Sequence, residues 1–403
     1  MFRLSHYLRE IADPKPLEPH RNPPGPVVIW NLIRRCNLKC KHCYTISGDV
    51  DFPGELSTDE VFTVMDDLKA FGVPVLILSG GEPLLRPDIF EISRRAKEMR
   101  FYVGLSTNGT LIDAEMADRI AGIGYDYVGI SLDGIGAVHD AFRGQDGAYE
   151  ASRAAVRHLR ARGVKVGLRF TMTRDNAENL QGLLDLAAAE DVDKLYLSHL
   201  VYAGRGNKNR SSDAELEITR HGMDLLIERA WADICAGSER EYVTGNNDAD
   251  GVYLLQWAQR NHPESVPHLE ELLRRWGGNA TGVWISNIDN LGNVHPDSFW
   301  WDHTLGNVKE RKFSEIWQDT SDPIFAGLKT RPRKVEGRCG ACHYLAICGG
   351  NTRMRALQLT GNPWAEDPSC YLTDAEIGVN EAGERLVVTP FRGARHEARA
   401  LGR

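Results

Sequence analysis

Three cysteines within eight residues constrain this chain more than any other feature: Cys36-Asn37-Leu38-Lys39-Cys40-Lys41-His42-Cys43. They follow the apolar run Val27-Val28-Ile29-Trp30-Asn31-Leu32, which reads as a buried strand. Three thiolates so close together can wrap one face of an iron–sulfur cube. A 4Fe–4S cluster ordinarily takes four cysteines, so a trio leaves one iron free for a small molecule. The competing reading is a structural zinc site. Zinc there requires four ligands, and His42, wedged between two of the cysteines, can hardly join them.

The chain holds eight cysteines in 403 residues. Seven fall into two groups, and Cys235 stands alone. The first ten residues, Met1 to Glu10, lack the apolar core of an export signal. Clustered cysteines in such a chain favour metal over disulfides and a cytoplasmic location. The length allows two or more domains. A net charge of -8 implies no general affinity for nucleic acid or an anionic membrane surface. No run is long and apolar enough to suggest a membrane span.

Residues 1–26 are rich in proline and read as an extended N-terminal lead-in. From 27 to 210 strand-like and helix-like runs alternate. Ser57-Thr58-Asp59-Glu60 is a capping box that opens a helix with Val61, Val64, Met65 and Leu68 on one face. Strands are expected at 75–78, 102–106, 127–131, 165–172 and 194–200, with helices between them. Six strands with short connections predict an α/β fold, a partial (β/α)6 barrel like an incomplete TIM barrel. Ligands of such barrels bind at the C-terminal strand ends, where the cysteine loop lies.

Further short motifs fall at that end. Gly80-Gly81-Glu82-Pro83 follows the second strand, Ser106-Thr107-Asn108-Gly109 the third, and Ser131-Leu132-Asp133-Gly134 the fourth. Each also has a plain reading as turn chemistry. Together with the cysteine spacing they resemble the radical SAM superfamily. That resemblance implies that Cys36, Cys40 and Cys43 ligate a 4Fe–4S cluster. Its open iron would chelate S-adenosylmethionine, whose cleavage releases a 5′-deoxyadenosyl radical. Gly80, Gly81, Glu82 and Pro83 would contact the methionine amino group. Ser106, Asn108, Ser131 and Asp133 would contact its ribose and carboxylate. His42 departs from the aromatic residue usual before the third cysteine. The basic loop from His199 to Arg210 follows the sixth strand. The loop, with Tyr202 and Arg205, is a candidate for gripping a substrate carboxylate, with a solvated loop as the alternative. His199 is a candidate proton donor to the substrate, with a structural role as its alternative.

Residues 211–280 read as a helical bridge. Seven of the nine tryptophans lie between Trp231 and Trp317. Core packing is the default role for them, and stacking on a large flat substrate is the sharper one. In 281–372 a hairpin with a turn near Asn290–Asn293 precedes Cys339, Cys342, Cys348 and Cys370. This arrangement resembles the Twitch form of the auxiliary iron–sulfur domains that follow many radical SAM barrels, and it implies a second 4Fe–4S cluster. Asp297 stands where the longer SPASM form has a further cysteine, which argues for one auxiliary cluster. A four-cysteine zinc ribbon is the alternative. Residues 373–403, with Arg392, Arg395, Arg399 and Arg403, read as a flexible tail.

From residue 1 to about 372 the chain resembles the tetrapyrrole-modifying branch of the superfamily, and within it the enzymes of heme d1 biosynthesis. The resemblance implies removal of propionate side chains from didecarboxysiroheme, with a flavodoxin- or ferredoxin-type electron donor. Two relatives of that activity compete: decarboxylation or trimming of porphyrins in the alternative heme pathway, and maturation of a ribosomal peptide.

Overall fold

The computed structural model describes residues 1–17 and 25–380. Its centre is one sheet of ten strands among the described residues, in the order β10-β9-β8-β1-β2-β3-β4-β5-β6-β7. These are β1 (Val27–Asn31), β2 (Val75–Ser79), β3 (Tyr102–Thr107), β4 (Tyr127–Ser131), β5 (Val166–Met172), β6 (Lys194–His199), β7 (Glu241–Gly245), β8 (Ile285–Ile288), β9 (Asn293–His295) and β10 (Gly306–Asn307). β1 to β7 run parallel, β8 joins β1 in parallel, and β9 and β10 are antiparallel.

Helices α1 (Leu4–Ala12), α2 (Thr58–Ala70), α3 (Ile89–Glu98), α4 (Ala114–Ile123), α5 (Ala137–Arg143), α6 (Ala148–Arg160), α7 (Leu180–Ala189), α8 (Gly204–Lys208), α9 (Leu216–Cys235), α10 (Ala249–Asn261) and α11 (Val266–Trp276) accompany the sheet. The Ser57 hydroxyl accepts from the Glu60 N–H at 3.3 Å, and the Glu60 carboxylate accepts from the Ser57 N–H at 2.8 Å. This completes the capping box at the start of α2. The outward sides of the strands bury Val28, Trp30, Leu76, Leu78, Val103, Leu105, Val128, Ile130, Leu168 and Leu197 in the main core. On the inward side glycines make room for large rings. A Cβ on Gly167 would come within 2.5 Å of the Tyr127 ring, and one on Gly245 would strike Tyr196. Two tyrosines thus fill the barrel interior beneath its C-terminal end.

Four features differ from the sequence reading. Residues 4–12 of the lead-in are helical, because Leu4, Tyr7, Leu8 and Ile11 make a buried face before the first proline, and α1 packs on α9 and β7. Phe2 pairs with Thr244 on the β7 edge, which would otherwise carry unpaired backbone groups. The stretch read as a helical bridge contains β7, and Pro263 separates α10 from α11. The hairpin read as part of a separate domain continues the barrel sheet through β8. Beyond residue 372, Thr373 caps a short helix (Asp374–Ile377), with Ile377 and Val379 buried. The four tail arginines lie outside the described residues.

Candidate active site

The loop after β1 brings the three cysteines together. Cys36 and Cys40 are buried in one small cluster around Leu38, and Cys43 packs against it. Backbone and side-chain donors point at the sulfurs. The Leu38 N–H donates to Cys36 Sγ at 3.4 Å, and the Arg143 guanidinium to Cys40 Sγ at 3.5 Å. Cys43 Sγ lies 3.2 Å from the Thr45 hydroxyl. Burial pushes the Cys36 thiol up to about 12 and raises that of Cys40. Burial also acts to raise Cys43, but the hydrogen bond to Thr45 and the Arg205 charge outweigh it and hold that thiol low. Two buried sulfurs and a third partly buried beside them, with such donors, suit an anionic iron–sulfur ligand set.

The loop keeps its shape because neighbouring elements capture its backbone. Lys39 and Lys41 N–H groups donate to the carbonyls of Arg143 and Phe142 at the end of α5, at 3.2 and 3.0 Å. Arg205 donates to the Cys40 and Ser47 carbonyls, each at 2.8 Å. Gly204, at φ +54°, lies so close to the Cys43 and Tyr44 carbonyls that any side chain there would collide with them. The basic loop is therefore a buttress beneath the cysteine loop and not an open anion grip. Arg205 is used up on carbonyls, apart from one buried amino nitrogen without a partner. His199 is buried, 3.1 Å from the Asp250 carboxylate and stacked on Tyr371. Tyr202 is buried with its hydroxyl on Asp213 at 2.9 Å. His199 and Tyr202 thus have their polar groups on carboxylates of the protein, and Arg205 keeps one buried amino nitrogen unpaired.

Gly80 and Gly81 pack directly on the carbonyls of Ile33, Arg34 and Arg35, where a Cβ would overlap them. The Gly81 N–H donates to the Ile33 carbonyl at 2.6 Å and the Glu82 N–H to the Arg35 carbonyl at 2.9 Å. The glycines are thus needed to seat this loop against the cysteine loop. Pro83 opens a single 3-10 turn. The fully buried Glu82 carboxyl faces inward. It accepts from the Thr107 hydroxyl at 2.7 Å, the Asn108 N–H at 2.8 Å and the Leu84 N–H at 3.1 Å. Burial lifts its pKa to about 7. Only the backbone of this motif is left for a ligand. Asn108 continues the tie, donating to Asn37 Oδ1 at 2.9 Å.

Asp133 is fully buried, accepts from the Thr171 N–H at 2.6 Å and forms an ion pair with Arg143. It thus supports the arginine that donates to Cys40. His42 is tilted on Phe142 at 4.9 Å, with burial holding its pKa down near 4. Ser106 and Ser131 remain partly open. The residue that sequence reasoning missed is Arg169. It pairs across from Ser131, reaches over Gly129 and donates to the Ser106 hydroxyl. An arginine within the apolar strand Val166–Met172 was the available signal. Ser106, Ser131 and Arg169 share the inward face at the strand ends and can hold a carboxylate.

Cys339, Cys342, Cys348 and Cys370 line one small cavity with Arg338, Tyr344, Leu372 and the start of α10. The N–H groups of Asp367, Tyr344 and Gly350 donate to Cys339, Cys342 and Cys348 at 3.4, 3.3 and 3.3 Å. Burial, and then the other three thiols, drive the Cys348 thiol far up. Four thiols lining one cavity suit a 4Fe–4S cluster, which takes four cysteine ligands. Asp297 accepts from the Thr281 hydroxyl and the Phe299 N–H, away from these thiols. Arg353 is fully buried beside Cys339, bonded only to backbone carbonyls.

The radical SAM superfamily model matches residues 30–187. The chain is 58% identical over 399 residues to the pre-heme d1 synthase of Dinoroseobacter shibae, covering 98% of each chain. It is 45% identical over 360 residues to the Fe-coproporphyrin III synthase of Methanosarcina barkeri, covering 89% of this chain and 90% of that one. In fold it is similar to Streptococcus suis SuiB bound to its precursor peptide SuiA. The TM-score is 0.69 at 17% identity, over 87% of this chain and 76% of that one.

Proposed function

The chain belongs to the radical SAM superfamily, and from that premise we propose that it removes propionate side chains from didecarboxysiroheme in heme d1 biosynthesis. The observation that carries the substrate is the 58% identity to a pre-heme d1 synthase across 98% of both chains. When bound at Cys36, Cys40 and Cys43, a 4Fe–4S cluster with S-adenosylmethionine supplies the 5′-deoxyadenosyl radical that abstracts hydrogen from the substrate.

The chain's own residues prepare that site. Arg143, braced by Asp133, and the Leu38 N–H donate to the cluster ligands. Arg205 and the end of α5 hold the loop rigid. The Gly80–Pro83 backbone takes the methionine ammonium, while Ser131 and Arg169 take its carboxylate. Ser106 orients Arg169, and Glu82 and Asn108 lock the motifs to one another. Cys339, Cys342, Cys348 and Cys370 hold the auxiliary 4Fe–4S cluster. A small flavodoxin or ferredoxin delivers electrons, and the cytoplasm, where thiols stay reduced, is the compartment. Among the described residues no helix is long and apolar enough to cross a membrane. The 45% identity to an Fe-coproporphyrin III synthase favours, as a second reading, side-chain removal from a porphyrin of the alternative heme pathway.

The test is anaerobic turnover. Reconstituted protein is mixed with S-adenosylmethionine, a low-potential reductant and didecarboxysiroheme, and mass spectrometry follows both products. Deoxyadenosine with loss of propionate mass is expected. Deoxyadenosine beside an untouched tetrapyrrole rejects this substrate and moves the search to other porphyrins.

A further inference from the structure

Where the loop leaves Cys43, a group of aromatic side chains stays partly open around one arginine. Tyr44 meets Phe299 edge-on at 5.4 Å and Trp301 at 6.2 Å. The Arg34 guanidinium lies 4.8 Å from the centre of the Phe52 ring and 6.0 Å from that of Trp301. All five are only partly buried. Trp300, by contrast, is fully buried, and Trp231 and Trp257 pack around His262 on the helical side. This corner joins partly open rings to the cysteine loop. The Tyr44 hydroxyl accepts from Asn31, which also donates to the Gly80 carbonyl. The rings therefore stand next to both motifs of the radical site.

The charge at this corner is uncommitted. Arg35 neutralises Asp49 and Asp51, at 2.8 and 3.1 Å. Arg34 spends its Nε–H on the Thr45 carbonyl at 3.0 Å, and its two terminal amino groups have no hydrogen bond among the described residues. A guanidinium fork held between aromatic faces suits a carboxylate attached to a flat ring system.

The backbone here is also strained. Ile46 has φ +53°, a region that β-branched residues avoid, and it leaves 43% of its surface exposed. The cause is visible: Arg34 takes the carbonyl before it and Arg205 the carbonyl after it, so the side chain is forced outward. An apolar side chain both strained and exposed beside a radical site marks a contact surface. Resting on the tetrapyrrole reading above, we propose that Arg34, Tyr44, Ile46, Phe52, Phe299 and Trp301 form the platform on which a flat, carboxylate-bearing iron tetrapyrrole stacks.

The probe is iron coproporphyrin III, titrated anaerobically and read by its absorption band. Trp301→Ala weakens binding about tenfold and Trp301→Phe restores most of it, the size expected for one aromatic stacking partner. Arg34→Gln weakens binding to this tetracarboxylate by about tenfold as well. Ile46→Gly supplies the check against misfolding: glycine relieves the strain, so the melting temperature rises while affinity falls. Wild-type affinity in Trp301→Ala and Ile46→Gly at full iron content overturns the platform and leaves the tetrapyrrole reading standing. A wild-type protein that binds neither iron coproporphyrin nor didecarboxysiroheme, or that binds a peptide in their place, overturns the tetrapyrrole reading and the platform with it.

Discussion

Replacing Glu82 with glutamine separates two effects that the wild-type carboxyl combines. The side chain is fully buried and accepts three hydrogen bonds, from Thr107, Asn108 and Leu84. Glutamine keeps one acceptor oxygen but turns an amino group toward a donor. One donor is left unmet, at a cost of about 1–3 kcal/mol that is the same at every pH. The carboxyl adds a term that does depend on pH. Burial raises its pKa from 4.5 to about 7. A raised folded pKa contributes stability that is fully present below 4.5 and is lost as the pH climbs through about 7. At about 1.4 kcal/mol for each unit of pH across that window, the swing is roughly 3 kcal/mol. A bound anionic cluster pushes the pKa the same way. The two magnitudes are similar, so the variant should be clearly less stable near pH 5 and about level with wild type at pH 8. Anaerobic melting of both proteins at steps from pH 5 to pH 8 reads this directly, because other titrating groups cancel in the difference. At about 2 °C per kcal/mol for a chain of this size, a gap of a few degrees should close as pH rises. A gap that stays constant would show that Glu82 is ionised throughout and would refute the reasoning.

Gly81→Ala places a methyl against the Arg34 and Arg35 carbonyls. It should lower the melting temperature by several degrees and reduce iron retention, whereas Gly122→Ala in α4, which meets nothing within 4 Å, should be neutral or stabilise by up to about 1 kcal/mol. Cys348→Ala should cut iron from about eight to about four atoms per chain by elemental analysis, the loss of one whole 4Fe cluster; an unchanged iron count with loss of one zinc would establish a zinc ribbon. Arg353→Met removes a buried cation beside Cys339 that has no carboxylate in contact. The reduced auxiliary cluster then loses stabilisation, and its potential should fall by on the order of 100 mV in an EPR-monitored titration.

The parts legible in the sequence were those written in local pattern. The strands β1 to β6, the capping box at Ser57 and the cysteine loop each declare themselves within a dozen residues. What escaped was set by distant partners. Prolines dominated the reading of the lead-in and masked the short apolar face of Leu4, Tyr7, Leu8 and Ile11. Glu241-Tyr242-Val243-Thr244-Gly245 is five residues long, lies between helices and becomes a strand by pairing with β6. His199, Tyr202 and Arg205 looked available because glycine and basic residues suggest an open loop. Their real partners, Asp250, Asp213 and the carbonyls of Cys40 and Ser47, lie 11 to 165 residues away. Glu82 reads as a ligand group from its motif, yet only the packed structure shows that its carboxyl binds other loops.

The continuity of the sheet has a consequence for the two clusters. A separately hinged auxiliary domain would let its cysteines drift relative to the barrel mouth. Here β8 pairs with β1, the strand that carries the cysteine loop, and Asn287 donates to the Asn31 side chain at 2.6 Å. At the opposite edge, the Asp248 N–H beyond β7 donates to the Asn351 side chain at 2.8 Å. The buried Arg355–Asp367 pair also reaches the Leu200 carbonyl at 3.0 Å. The segment from 281 to 372 is thus fastened at both ends of the parallel arc. Arg353 forms no ion pair of its own, and the Asp367 carboxylate whose charge it feels is already paired with Arg355. A four-thiolate cluster in the adjacent cavity would therefore add the countercharge that burial of Arg353 calls for. Cluster assembly and the packing of this segment should therefore be coupled. A chain that fills only Cys36, Cys40 and Cys43 would keep its barrel while the region around Cys339 to Cys370 loosens. Hydrogen exchange on Cys348→Ala should show faster exchange there and along β8, with β3 to β5 unchanged; uniform protection across both regions would show that the arginine finds its countercharge within the protein.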